Sequence, residues 1–134
     1  MISGDPISGF NMEFKLTETL KDGNDFNYKL TYHGAVVGLS QIRIKASKGE
    51  SMPDGFESNI GYEIIPEFQG RGFGKELFKL ALEKIFELGV DAPIVTCGDG
   101  NLRSKKIIES AGGILLEQRK DKKGYLMNKY TFNK

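Results

Sequence analysis

Residues 69–75 read Gln69-Gly70-Arg71-Gly72-Phe73-Gly74-Lys75, a glycine-spaced loop between a strand-like run ending at Ile65-Pro66 and a helical run that reaches Gly89. Glycines at alternate positions let the backbone come close to a ligand, and the first turn of the following helix offers amides with no partner inside the helix. Those amides and the positive end of the helix dipole suit a diphosphate.

Spacing separates the common phosphate loops. A Walker-type loop needs a glycine five residues before Gly74, where Gln69 stands, and Ser or Thr after Lys75, where Glu76 stands. A dinucleotide fingerprint starting at Gly70 and Gly72 needs its third glycine at Lys75. What remains is Gln-x-x-Gly-x-Gly, formed by Gln69, Gly72 and Gly74.

On these residues the chain resembles the GNAT-type N-acetyltransferases, whose pyrophosphate loop for acetyl-CoA carries this pattern. Residues 60–66 look like the fourth strand of that family and residues 92–97 like the fifth. Asn101 through Gly113 is similar to its Asn-x-x-Ser helix with a Gly-Gly exit. The likeness covers roughly residues 36–118. It implies an α/β (α+β) fold: a mixed, mostly antiparallel sheet of six to seven strands with two main helices.

Elsewhere the pattern is plain. Residues 12–19 alternate as a half-buried strand, and residues 27–32 and 36–44 form a hairpin turning at His33-Gly34. Residues 46–58 make a long polar loop of the kind that is often functional. Leu77, Phe78, Ala81, Leu82, Ile85 and Phe86 recur at helical spacing, and Gly89 ends that helix. Asn101 is a good N-cap for a second, shorter helix. Residues 114–118 and 125–132 read as two closing strands. Relatives place two helices between the first and second strands, whereas here only residues 20–26 fill that interval, so the acceptor side is expected to be open.

A chain of 134 residues is expected to be one domain over residues 12–134, behind a flexible Gly/Ser/Pro-containing leader at 1–11. A net charge of +1 gives no global pull towards nucleic acid or membrane. With one cysteine, Cys97, and one histidine, His33, neither an internal disulfide nor a metal site is expected, and a reducing cytoplasm is the expected compartment. Cys97 ends an apolar strand and His33 sits in a turn, so a nucleophile–base pairing is rejected.

The resemblance implies acetyl-CoA or coenzyme A as co-substrate, without a metal, and an amine acceptor that is a small molecule or a protein or peptide amine. Cofactor contacts are expected from Gln69, Gly70, Arg71, Gly72, Phe73, Gly74 and Lys75, and from the backbone of Ile64 and Ile65. Asn101 and Ser104 are expected to add contacts to the pantetheine arm and the diphosphate region. Glu63, a carboxylate on the face opposite Ile60, Tyr62 and Ile64, is the candidate general base. The tyrosine that many relatives carry four residues after the serine is here Ile108. Tyr125 or Tyr130 then becomes the candidate general acid. That departure also leaves open a second reading, a CoA or acyl-CoA sensor without catalysis. The final strand, 125–132, is expected to lie at a sheet edge where a second copy could pair.

Overall fold

The structure, a computed structural model, describes residues 11–134. Apart from Asn11, the expected leader lies outside these residues. The elements in order are β1 (Met12–Leu20), β2 (Asp25–Tyr32), β3 (Ala35–Ser47), β4 (Ser58–Ile64), α1 (Phe73–Glu87), β5 (Ile94–Gly98), α2 (Leu102–Ser110), β6 (Ile114–Lys120) and β7 (Leu126–Thr131). Short 3-10 turns occupy Lys21–Gly23 and Pro66–Phe68. β1 thus passes to β2 through a single tight turn, with Leu20 opposite Asp25. The β2–β3 hairpin turns at His33 (φ 50°) and Gly34 (φ 83°), the paired left-handed residues that match strand twist.

The expected mostly antiparallel sheet is present with seven strands, divided between β4 and β5. β1-β2-β3-β4 form one sheet and β5-β7-β6 the other. β7 lies between β5 and β6, hydrogen-bonded on both sides. This corrects the expectation that residues 125–132 form a free edge: β6 supplies the outer edge of that sheet, because β7 inserts between its predecessors.

α1 holds the two sheets together. Its buried face carries Leu77, Phe78, Ala81 and Ile85, and Phe78 meets Tyr62 of β4 at 5.4 Å and Phe132, just beyond β7, at 5.6 Å between ring centroids. Each large buried side chain on that face contributes about 1.5–3 kcal/mol of hydrophobic stabilisation. The helix closes with Val90 N–H on Ile85 O at 3.2 Å and Gly89 N–H on Phe86 O at 3.0 Å, the paired bonds that a left-handed residue after the helix makes possible. Gly89 supplies it, at φ 95°. Among the described residues no helix is long and apolar enough to cross a membrane.

Candidate functional site

β4 and β5 are tied at their starts and open beyond. Buried Asn59 accepts from Ile94 N–H at 2.8 Å and donates to Arg43 O at 2.8 Å, and Ser58 Oγ donates to Ile94 O at 3.3 Å. Past that tie no ladder bonds join the two strands. Ile65 N–H donates to Val37 O on β3 at 2.9 Å. Alternation along an extended strand therefore turns the N–H groups of Tyr62 and Ile64 away from β3 and towards the gap.

The gap widens into a cleft of about 520 Å³. Tyr62 and Ile64 form one wall, Val95 and Cys97 another, and Asn101, Ser104 and Ile107 of α2 a third. Gln69, Gly70, Gly72, Gly74 and Lys75 close its mouth. Gly72 is the N-cap of α1 with a left-handed φ of 90° and no side chain to cap the turn. The amides of Phe73, Gly74 and Lys75 thus begin the helix with no carbonyl one turn back. A Cβ on Gly74 would lie 3.0 Å from Ile107 Cδ1 and 3.6 Å from Ile64 Cγ1, so this glycine lets α1 approach both α2 and β4.

Gln69 stitches the mouth. Its Nε2 donates to Ile64 O at 3.2 Å, and its Oε1 accepts from Arg103 Nη1 at 2.9 Å. Asn101 caps α2 by accepting from Ser104 N–H at 3.2 Å. Inside the cleft Tyr62 OH and Ser104 Oγ are hydrogen-bonded at 3.0 Å. Burial pushes the Tyr62 phenol above its ordinary value, against the lowering effect of the Ser104 bond. Burial likewise raises the neighbouring Cys97 thiol, which keeps it a neutral wall residue.

The structure brings most of the expected cofactor residues together at the cleft, while one backbone amide and two side chains point elsewhere. Ile65 turns its amide to β3, which corrects the expectation that it faces the cofactor. Phe73 is fully buried in the core beside Leu77. Arg71 lies over the rings of Phe68 and Phe73, 5.5 Å from each centroid, and its side chain is not part of the cleft wall.

Glu63 lies on the other side of β4. It is exposed and borders a groove of about 280 Å³ with Glu18, Asn27, Leu39 and Gln41. The two candidate acids stand away from the cleft. Tyr125 is 67% exposed. Tyr130 is buried, its hydroxyl donating to Glu109 Oε2 at 2.8 Å, and burial reinforced by that bond raises its pKa far above the ordinary 10.0. Ile108, at the position where relatives carry tyrosine, is fully buried in the core.

Sequence reasoning missed Tyr62 and Arg103. For Tyr62 a signal existed, since alternation sets it on the face of Ile60 and Ile64. Arg103 had none beyond its place in the first turn of α2, because its partner Gln69 is remote in sequence.

The acetyltransferase (GNAT) domain model matches residues 8–114. No curated protein matches the chain by sequence. Among solved structures, the fold is similar to a mutant of the spermidine N-acetyltransferase SpeG from Vibrio cholerae, at 16% identity and a TM-score of 0.67 over 84% of this chain and 67% of that one. It is similar to AAC(6')-Ib in complex with ribostamycin and coenzyme A, at 17% identity and 0.66 over 83% and 65%. A Bacillus subtilis acetyltransferase in complex with CoA matches at 15% identity and 0.70 over 92% and 99%. The chain spans about two thirds of the length of the first two neighbours. At these identities the likeness is one of fold.

Proposed function

The chain belongs to the GNAT acetyltransferase family, and we propose that it transfers an acetyl group from acetyl-CoA to an amine by direct attack, using residues 12–134 as one domain. The observation that carries this reading is the opening between β4 and β5. It offers unpaired strand amides along its length and uncapped helix amides at its mouth.

The diphosphate sits on the amides of Phe73, Gly74 and Lys75, with the Lys75 ammonium adding charge. The pantetheine arm lies in the gap like an added strand, its amides pairing with backbone groups of Tyr62 and Ile64. A backbone N–H from the same stretch holds the thioester oxygen as negative charge develops there. The acceptor approaches from the opposite face of β4, where Glu63 removes its proton directly or through water. The nitrogen lone pair then attacks the thioester carbon. A C–N bond forms, the attacking nitrogen gives up its second proton to water, the C–S bond breaks, and the thiolate of CoA leaves. A thiolate with a pKa near 8–9 takes its proton from solvent or from the Tyr62–Ser104 hydroxyl pair, whose phenol is held protonated by burial.

The test has two parts. Acetyl-CoA or CoA at about a hundred times its Kd should stabilise the protein by roughly 2.7 kcal/mol, on the order of 10 °C in Tm, while ATP and NAD should not. Thiol release in the presence of an amine panel then measures transfer. A CoA shift without transfer to any amine would identify a CoA-binding module without turnover, and no CoA shift would overturn the reading altogether. Glu63→Gln should lower kcat and displace the alkaline rise in rate while leaving the CoA shift intact. An unchanged pH profile removes Glu63 from the mechanism.

A further inference from the structure

The face of β4 opposite the cofactor cleft carries two charge environments side by side. Beyond Glu63 and Glu18 lies a second groove of about 450 Å³. Ile60, Gly61 and Thr96 line both this groove and the cofactor cleft, so the two meet through the opening between β4 and β5. Its charged lining residues are Arg43 and Lys48, with no carboxylate among them. The loop at residues 48–57 forms one side of it through Lys48, Gly49, Met52 and Phe56.

Arg43 is held but not neutralised. Its Nη2 donates to Gln41 Oε1 at 3.0 Å and its Nη1 to Ser58 O at 3.4 Å, and neither acceptor is charged. Three of its five N–H donors therefore have no protein acceptor among the described residues. A Cβ on Gly61 would lie 3.6 Å from Arg43 Nη2, so the guanidinium extends across this glycine. Glu63 follows two residues later on the same face of the strand, about 6.7 Å along it. Lys48 donates to Met52 O at 3.3 Å and has only the fully exposed Asp54 carboxylate near it, at 3.7 Å.

We infer that the acceptor is a small amine that also carries a carboxylate, an amino acid or amino-acid-like zwitterion. Its nitrogen faces Glu63 and its carboxylate faces Arg43 and Lys48. This rests on the acetyl-transfer reading above and assigns the substrate class of that same site. The chemistry is direct: a guanidinium with free donors recognises a carboxylate through two parallel bonds, while two cations without lining carboxylates repel a polyamine. The open mouth between β4 and β5 delivers the amine, and no other part, to the thioester.

The experiment compares free α-amino acids with their carboxamides and with spermidine, at fixed acetyl-CoA, by thiol release and product mass. Removing the carboxylate charge lowers the amine pKa towards the 7.7–8.0 of a peptide terminus, so intrinsic reactivity at neutral pH favours the carboxamides. The enzyme should reverse that order by tenfold or more in kcat/KM. Arg43→Met should raise KM for the amino acid about tenfold, lower the preference for amino acid over carboxamide by a similar factor, and keep the CoA-induced Tm shift. Lys48→Met should act in the same direction more weakly. Carboxamides or spermidine as the better acceptors overturn the inference, as does an equal loss on both substrates in Arg43→Met. If CoA stabilises the protein and no carboxylate-bearing amine is acetylated, the inference falls while donor binding stands. Absence of the CoA shift is the separate signature of a failed donor reading.

Discussion

Phe56→Ala tests whether the loop at residues 48–57 is a docked wall of the acceptor groove. Phe56 is fully buried although it lies outside any strand or helix. The Arg119 guanidinium and the Lys129 ammonium sit 5.4 and 5.9 Å from its ring centroid, and Arg119 Nη1 donates to Asp54 O at 2.6 Å. Truncating a buried Phe in a rigid core costs about 3–5 kcal/mol, and the two cation–ring contacts add roughly 0.5–1 kcal/mol each. The loop can relax, however, and a released segment recovers about 1–2 kcal/mol of backbone entropy per residue. The loss should therefore fall at the lower end, about 3 kcal/mol, or roughly 10 °C in Tm for a chain of this size. None of residues 48–57 lines the cofactor cleft, so the CoA-induced shift should survive while KM for the acceptor rises. A fall of less than about 3 °C would show that the ring does not anchor the loop. Loss of the CoA shift would refute the separation of donor and acceptor grooves, and an unchanged KM would refute the loop as a wall.

Tyr130 gives the fold a pH limit. Its folded pKa is raised above 10.0 by burial first and the Glu109 bond second, so its contribution is fully present below pH 10 and is lost as pH rises further, at about 1.4 kcal/mol per pH unit. Thermal melts should steepen above pH 10 in the native protein and less so in Tyr130→Phe, which at pH 7 should cost about 1 kcal/mol for the lost bond. Parallel pH–Tm curves for the two proteins would contradict this. Gln69→Ala breaks the link between Ile64 O and Arg103. Both bonds are exposed, so stability should change by less than about 1 kcal/mol, while CoA affinity, measured by titration, should fall about three- to tenfold. Unchanged affinity would mean that the link does not shape the mouth.

The walls and mouth of the cleft were legible because their determinants are local. Gly72 and Gly74 set a strand-to-helix turn within a few residues, Asn101 caps the helix that carries Ser104, and alternation along residues 60–64 sorts Tyr62 from Glu63. α1 begins at Phe73, four residues before Leu77, the first of the helically spaced apolar residues named from sequence, because its first turn is built from the glycine loop itself. The edge assignment of β7 failed because nothing in a strand's own sequence says which neighbours it has. β7 fully buries Asn128 and Tyr130, and besides its bond to Tyr130 OH two residues on, Asn128 depends on partners from other elements, accepting from Gln118 and donating to Asp99.

The groove proposed for the acceptor was illegible for the same physical reason, carried further. Arg43, Gly61, Thr96 and Met127 come from four strands and Lys48 from a loop, and no spacing rule relates them. What sequence did show was a subtraction. No helices intervene between β1 and β2, and isoleucine stands at residue 108. The structure gives both a consequence. Without those helices the outer face of β2–β4 stays uncovered, which leaves Glu63 exposed and Arg43 only half-buried. Ile108 belongs to the helix face turned into the core, one residue after Ile107, which faces the cleft. Ile108 shares its buried cluster with Val95, Tyr130 and Phe132, an environment in which an unpaired polar group costs about 1–3 kcal/mol. The cleft's own phenol comes instead from Tyr62 on β4, which reaches Ser104 from the opposite wall. If that hydroxyl serves the leaving thiolate, Ile108 marks a relocation of the proton donor from helix to strand.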